Sequence, residues 1–113
     1  MEESRALAAL QALGHETRLS LVRILVGAGR AGLSQGDLAR RLGATPSRLA
    51  FHLSLLEQAG LIAARRESRH VFYMANTAGL GRLIGYVLND CCAAHPEVAA
   101  CCRHSDRRPN PPT

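Results

Sequence analysis

Two capped helices joined by a glycine turn between residues 34 and 58, a strand-turn-strand pattern directly behind them, and amphipathic helices on either side predict a mostly α fold carrying one β-hairpin. This is the pattern of a winged helix-turn-helix, with about five helices plus a two-stranded wing. The 113-residue chain is long enough for one modest core and too short to divide into two. Residues 1–102 are expected to form that single domain, and the polar, proline-rich stretch 103–113 to be a disordered tail.

Residues 3–13 place Leu7, Leu10 and Leu13 on one face of an amphipathic helix, which must pack on something. Gly14 breaks it. His15-Glu16-Thr17-Arg18 then opens a second helix, with Leu19, Val22, Ile24 and Leu25 directed into the core and Gly27 to Gly29 ending it. His15 reads as a packing or hydrogen-bonding residue at that start, and residues 30–33 read as a loop.

Ser34 can cap a third helix, in which Leu38 and Leu42 lie four apart, and Gly43 ends it. Thr45 caps a fourth, with Pro46 at the first position, where its missing N–H costs nothing. Leu49, Leu53 and Leu56 form one face of this helix, with Phe51 and Leu55 on its flanks, which leaves Ser47, Arg48 and His52 to point elsewhere. Two short helices around a tight turn suit a helix-turn-helix whose second helix enters the DNA major groove. An ordinary αα-hairpin with a solvated basic face has the same spacing. What separates the two readings is the chain after Gly60: strand-like runs 61–67 and 70–75 meet at a short polar turn, with Arg65, Arg66, Arg69 and His70 around its tip. A hairpin in that place is a wing, and its arginines suit phosphates and the narrow minor groove.

From Ala78 the chain turns helical again, and Leu80, Leu83, Ile84, Val87, Leu88 and Cys91 repeat at intervals of three and four. That face is too apolar to leave in water. Pro96 interrupts the pattern and can restart a short helical turn from its first position.

A formal net charge of +5 suits a polyanionic partner. With two Phe, two Tyr and no Trp, stacking on single-stranded nucleic acid is not the expected mode. No apolar run approaches a membrane span, and the start MEESRALAAL lacks the order of a signal peptide, so a cytoplasmic location without membrane contact is expected. Thiols in that compartment stay reduced and serve metals or redox chemistry more often than structural bridges.

From Leu38 through Tyr73, above all in LARRLGATPSRLAFHLSLLEQAGLI followed by RHVFY, the chain resembles the ArsR/SmtB family of metal-responsive transcriptional repressors. The upstream LGHETRLSLVRIL is similar to the family's second helix, so the likeness covers residues 5 to 92. It implies double-stranded operator DNA as partner and a homodimer joined through the first and last helices, with Leu7, Leu10, Leu83, Ile84 and Val87 in the contact. Geometry and motif position assign Ser47, Arg48 and His52 to the major groove, Ser34 and Gln35 to phosphates near the third helix, and Arg65, Arg66 and Arg69 to the wing. Ala50 stands where the family often has serine two positions before the recognition-helix histidine, which removes one base contact. Arg40 and Arg41 read as a solvated face.

All four cysteines lie near the end, as the adjacent pairs Cys91-Cys92 and Cys101-Cys102. Cys91 also continues the apolar helix face, but clustering of this kind points to a ligand rather than to core packing. Thiolates favour soft ions. Adjacent helical side chains point about 100° apart, yet both sulfurs can reach one ion beyond the helix end, and the break at Pro96 can bring Cys101 or Cys102 back as a third ligand. Three sulfurs suit a trigonal site for trivalent arsenic or antimony.

The resemblance points the same way, since one branch of the family's arsenic sensors carries a vicinal cysteine pair near the end of the last helix with another cysteine close behind. The chain departs from the branch with a Cys-x-Cys site in the first helix of the helix-turn-helix, because SQGDLARRL holds no thiol. The implied activity is repression in the metal-free state and release of operator DNA on binding arsenite, antimonite or organic trivalent arsenicals. Two alternatives stay open on the same fold. Zinc or cadmium could occupy the four cysteines with Asp90, His95 and His104 nearby, although adjacent pairs are not the usual zinc spacing. A reversible disulfide between the pairs could act as a redox switch. An enzyme is not expected, since neither a Cys-x-x-Cys beside a βαβ pattern nor an anion loop is present.

Overall fold

A computed structural model of the chain describes residues 1–100. Cys101, Cys102 and the expected tail, 103–113, lie outside the described residues. Helices α1 (Glu3–Leu13), α2 (Glu16–Ala28), α3 (Gln35–Leu42), α4 (Pro46–Gln58) and α5 (Thr77–Gly85) pack with an antiparallel sheet of β1 (Leu33–Ser34), β2 (Ile62–Glu67) and β3 (His70–Ala75), ordered β1-β3-β2.

In α1 the core face is built from alanine. Ala6, Ala9 and Ala12 are buried, while Leu7 and Leu10 stay 53% and 44% exposed. Leu13 packs against the core, and Leu7 and Leu10, expected in a contact between subunits, are left on the outside. Small residues let the α1 backbone come close to α2 and α4, so the helix seats on its least bulky stripe. In α2 Leu19, expected in the core, faces outward, while Leu21, Val22 and Leu25 are buried. His15 caps this helix, its Nδ1 accepting from the Thr17 N–H at 3.1 Å.

The segment expected as a loop contributes a strand. Gly32, at φ +70°, lets the backbone press against the Tyr73 carbonyl where a Cβ would collide. Leu33 and Ser34 then pair with Tyr73 and Phe72, so the wing hairpin carries a third, short strand.

The caps form as the sequence implies. Ser34 Oγ accepts from the Asp37 N–H at 3.1 Å, and Gly43 closes α3 in the left-handed conformation, its N–H donating to the Ala39 carbonyl at 2.8 Å. Thr45 Oγ1 accepts from the Arg48 N–H at 3.4 Å, with Pro46 first in α4. At the far end Gly60, at φ +79°, turns the chain so that the Leu61 N–H reaches the Leu56 carbonyl at 3.0 Å. Leu49, Leu53 and Leu56 of α4 join Leu21, Leu25, Leu38 and Leu61 as the most deeply buried side chains, each worth roughly 1.5–3 kcal/mol of transfer free energy before chain entropy is set against it. Helix α4 is therefore a core helix with one face left outside.

In the wing, β2 and β3 run in register from Ile62 opposite Ala75 to Glu67 opposite His70, and Ser68 and Arg69 make the turn. After β3, Asn76 fastens α5: its Oδ1 accepts from the Gly79 N–H at 3.1 Å and its Nδ2 donates to the Gly60 carbonyl at 2.9 Å. Gly79 is buried against Gly60, and a Cβ there would run into the Gly60 carbonyl oxygen. Leu83, expected in a contact between subunits, is instead only 3% exposed in the chain's own core. Ile84 is 58% exposed, and Val87 is half-buried against the core.

The last helix does not continue as α-helix. Tyr86–Cys91 form a π-helical turn, in which the Cys92 N–H bonds the Val87 carbonyl at 3.1 Å, five residues back. Ala93 and Ala94 follow at φ +50° and +53°, and the Ala94 N–H closes on the Leu88 carbonyl at 2.7 Å. His95 Nδ1 then accepts from the Glu97 N–H at 3.1 Å, and residues 96–100 are helical with Pro96 in the first position. Among the described residues no helix is long and apolar enough to cross a membrane.

Candidate nucleic-acid interface and thiol site

The exposed face of α4 presents Ser47, Arg48, Ala50, Phe51 and Ser54, opposite the buried Leu49, Leu53 and Leu56. Ser47 and Arg48 stand where the sequence places them, in the first turn and open to solvent. His52 does not. It is 7% exposed, and its Nδ1 lies 3.0 Å from the Arg18 guanidinium, with the His15 ring 4.7 Å away. The reason is position: His52 precedes Leu53 and follows Leu49 by three, so it turns with them toward α2. Burial, and then the charges of His15, Arg18 and Arg48, hold its pKa below the ordinary 6.5, so the ring is neutral and accepts the Arg18 N–H.

Gln35 and Ser34 are half-buried at the start of α3. Ser34 is engaged as a cap, and Gln35 Nε2 donates to the Pro46 carbonyl at 3.4 Å, tying the N-termini of α3 and α4 together. Arg40 pairs with Asp37 on the exposed side, as a solvated face would.

The wing divides its arginines. Arg66 and Arg69 are exposed. Arg65 is not a tip residue: it donates to the carbonyls of Arg30 and Ala31 at 3.1 and 3.2 Å, pairs with Glu67 at 2.7 Å and lies over the Phe72 ring at 5.3 Å. Strand alternation turns it toward the loop before β1, so it fastens the wing to the body.

At the other end of the chain, the Cys92 thiol donates to Cys91 Sγ at 3.6 Å, and neither cysteine is in a disulfide. The hydrogen bond, then burial and the neighbouring thiol, push the Cys92 pKa up. Two thiolates on one zinc, with bonds near 2.3 Å in a tetrahedral shell, stand about 3.8 Å apart, so the spacing fits a shared soft ion. Among the described residues no third Cys, His, Asp or Glu joins this pair to make a metal-binding group. His95 is engaged in capping, and Asp90 is exposed.

Sequence reasoning missed two residues of this surface. Phe51, read as a flank of the core face, is 59% exposed; its spacing of four from Ser47 and three to Ser54 was the available signal. Arg18 sits in the helix-opening stretch His15-Glu16-Thr17-Arg18, and nothing in the sequence pairs it with His52.

A helix locked into a core, a short helix braced against its N-terminus and a basic hairpin alongside define a winged helix-turn-helix of the DNA-binding class. Residues 13–65 match a helix-turn-helix domain family. The transcriptional regulator CmtR of Mycobacterium tuberculosis is 42% identical over 86 residues, 75% of this chain and 70% of the relative. An ArsR-like transcriptional regulator from Rhodococcus sp. RHA1 superimposes with a TM-score of 0.71 at 25% identity, covering 93% of this chain and 96% of that one. The structure of a possible transcriptional regulator for arsenical resistance matches at a TM-score of 0.62 and 30% identity, over 68% and 77% of the two chains. The chain belongs to the ArsR/SmtB family of helix-turn-helix transcriptional repressors.

Proposed function

We propose that the chain is a cytoplasmic homodimeric repressor that holds double-stranded operator DNA in its metal-free state and releases it when trivalent arsenic or antimony binds Cys91, Cys92 and one of Cys101 or Cys102. The observation that carries this reading is the pair of free sulfurs 3.6 Å apart at the end of the π-helical turn. Similarity to the regulator for arsenical resistance supports the choice of inducer. Exposed Leu7 and Leu10 on α1, with exposed Ile84 on the adjacent α5, supply an apolar surface suited to a two-fold contact, with Val87 at its edge. Ser47 and Arg48 read bases, and Arg66 and Arg69 meet the backbone.

Effective release needs a coupling of about 1–3 kcal/mol between the ion and DNA, a five- to 150-fold change in affinity. The test is a gel-shift titration of reduced protein on its own promoter DNA with arsenite, zinc and cadmium in parallel. Arsenite should release the DNA, and Cys91→Ser with Cys92→Ser should abolish the response. Release by cadmium or zinc alone would replace the inducer, and release only after peroxide would replace metal with thiol oxidation.

A further inference from the structure

We propose that Phe51 is a specificity-determining residue of the reading helix, its ring contacting thymine C5-methyl groups in the major groove. This rests on the DNA-binding reading and is independent of the inducer. Single exposed apolar side chains are ordinary on protein surfaces, so exposure alone carries little. Position and support carry the argument.

Phe51 is 59% exposed and falls on the stripe of α4 that also holds Ser47 and Ser54, opposite the leucines that anchor the helix. With His52 turned inward, that stripe consists of two serines, Ala50 and one large ring, with Arg48 at its N-terminal edge. Serine hydroxyls bond to many base edges and discriminate weakly. The thymine methyl is the one apolar group on the major-groove edges of the four bases, and an aromatic side chain is among its natural partners.

The ring is also held in place. Its edge meets the His52 ring at 5.5 Å and 63°. His52 is fixed by Arg18 at 3.0 Å, and Arg18 Nε donates to the Ala12 carbonyl at 2.6 Å. A surface side chain seated on a buried, hydrogen-bonded neighbour contacts its target with less ordering cost than a free one.

The experiment selects duplexes from a randomised pool with the full-length wild-type chain and resynthesises the winner with single thymines replaced by deoxyuridine, which removes only the methyl. At one or more positions per half-site the wild type should lose about four-fold in affinity, the worth of one buried methyl. Phe51→Ala should show no such penalty there, and Phe51→Leu, which keeps apolar bulk, should retain part of it. Thermal melting of both variants alongside wild type confirms that they fold. Equal deoxyuridine penalties in wild type and Phe51→Ala overturn the inference while leaving DNA binding intact. Failure of the wild type to enrich any sequence overturns the DNA-binding reading, and this inference with it.

Discussion

Arg18 of α2 donates to Nδ1 of His52 in α4 at 3.0 Å while its Nε donates to the Ala12 carbonyl at the end of α1. One guanidinium thus joins three helices beneath the exposed face of α4, and it requires the His52 ring to be neutral.

The pH dependence follows from that requirement. His52 has a folded-state pKa below its unfolded value of 6.5, so the unfolded chain takes up the proton first on acidification. Its contribution to stability is complete above that value and is lost as the pH falls through it and on through the lowered folded-state pKa. Denaturant unfolding at about pH 7.5 and about pH 5.5 should show lower stability in acid, and His52→Asn, which keeps an acceptor but does not titrate there, should remove part of the difference. Arg18→Met should cost about 1.5–3 kcal/mol at neutral pH, the worth of a hydrogen bond to a charged group.

The wing arginines should separate by assay. Arg66→Ala and Arg69→Ala should leave stability unchanged and each reduce the slope of log affinity against log salt by about one, if each neutralises one phosphate. Arg65→Ala should instead lower the melting temperature, because the carbonyls of Arg30 and Ala31 and the carboxylate of Glu67 lose their donor. A salt-slope change for Arg65→Ala without a stability change would contradict its fastening role.

Gly79→Ala should destabilise the chain by about 1–3 kcal/mol, the usual range for overpacking, since α5 starts directly on the Gly60 carbonyl. Gly81→Ala, on the exposed side of the same helix with open space around it, should be neutral or stabilising. Paired thermal melts of the two variants check this.

Thiol reactivity should report the contact between the vicinal cysteines. The hydrogen bond to Cys91 is the first cause of the raised Cys92 pKa, so Cys91→Ala should lower it and speed Cys92 alkylation near neutral pH, measured by peptide mass mapping of the reduced chain. An unchanged rate would show that the two sulfurs do not interact in solution.

Much of the architecture was legible because it rests on local rules. Ser34, Gly43, Thr45 and Pro46 mark helix ends through their own backbone and side-chain chemistry, and Leu49, Leu53 and Leu56 reveal a buried face by spacing. What failed depended on partners distant in sequence. Arg65 left the wing tip because carbonyls 35 and 34 residues earlier were within reach. His52 looked like a groove reader until Arg18 gave it a reason to turn inward. The cysteine pair was legible as chemistry, but the π-helical turn that ends at Cys91 is announced by no periodicity.

That turn has a geometric consequence. A hydrogen bond reaching back five residues absorbs one residue more than an α-helical turn, so everything after Val87 is out of step by one position with the helix that precedes it. Were 86–91 wound as ordinary α-helix, the same cysteines would face about 100° further around the axis and sit about 1.5 Å further along it. The compass bearing of the two sulfurs is thus written in bond register, and an identical string of side chains on a tighter screw would aim them elsewhere.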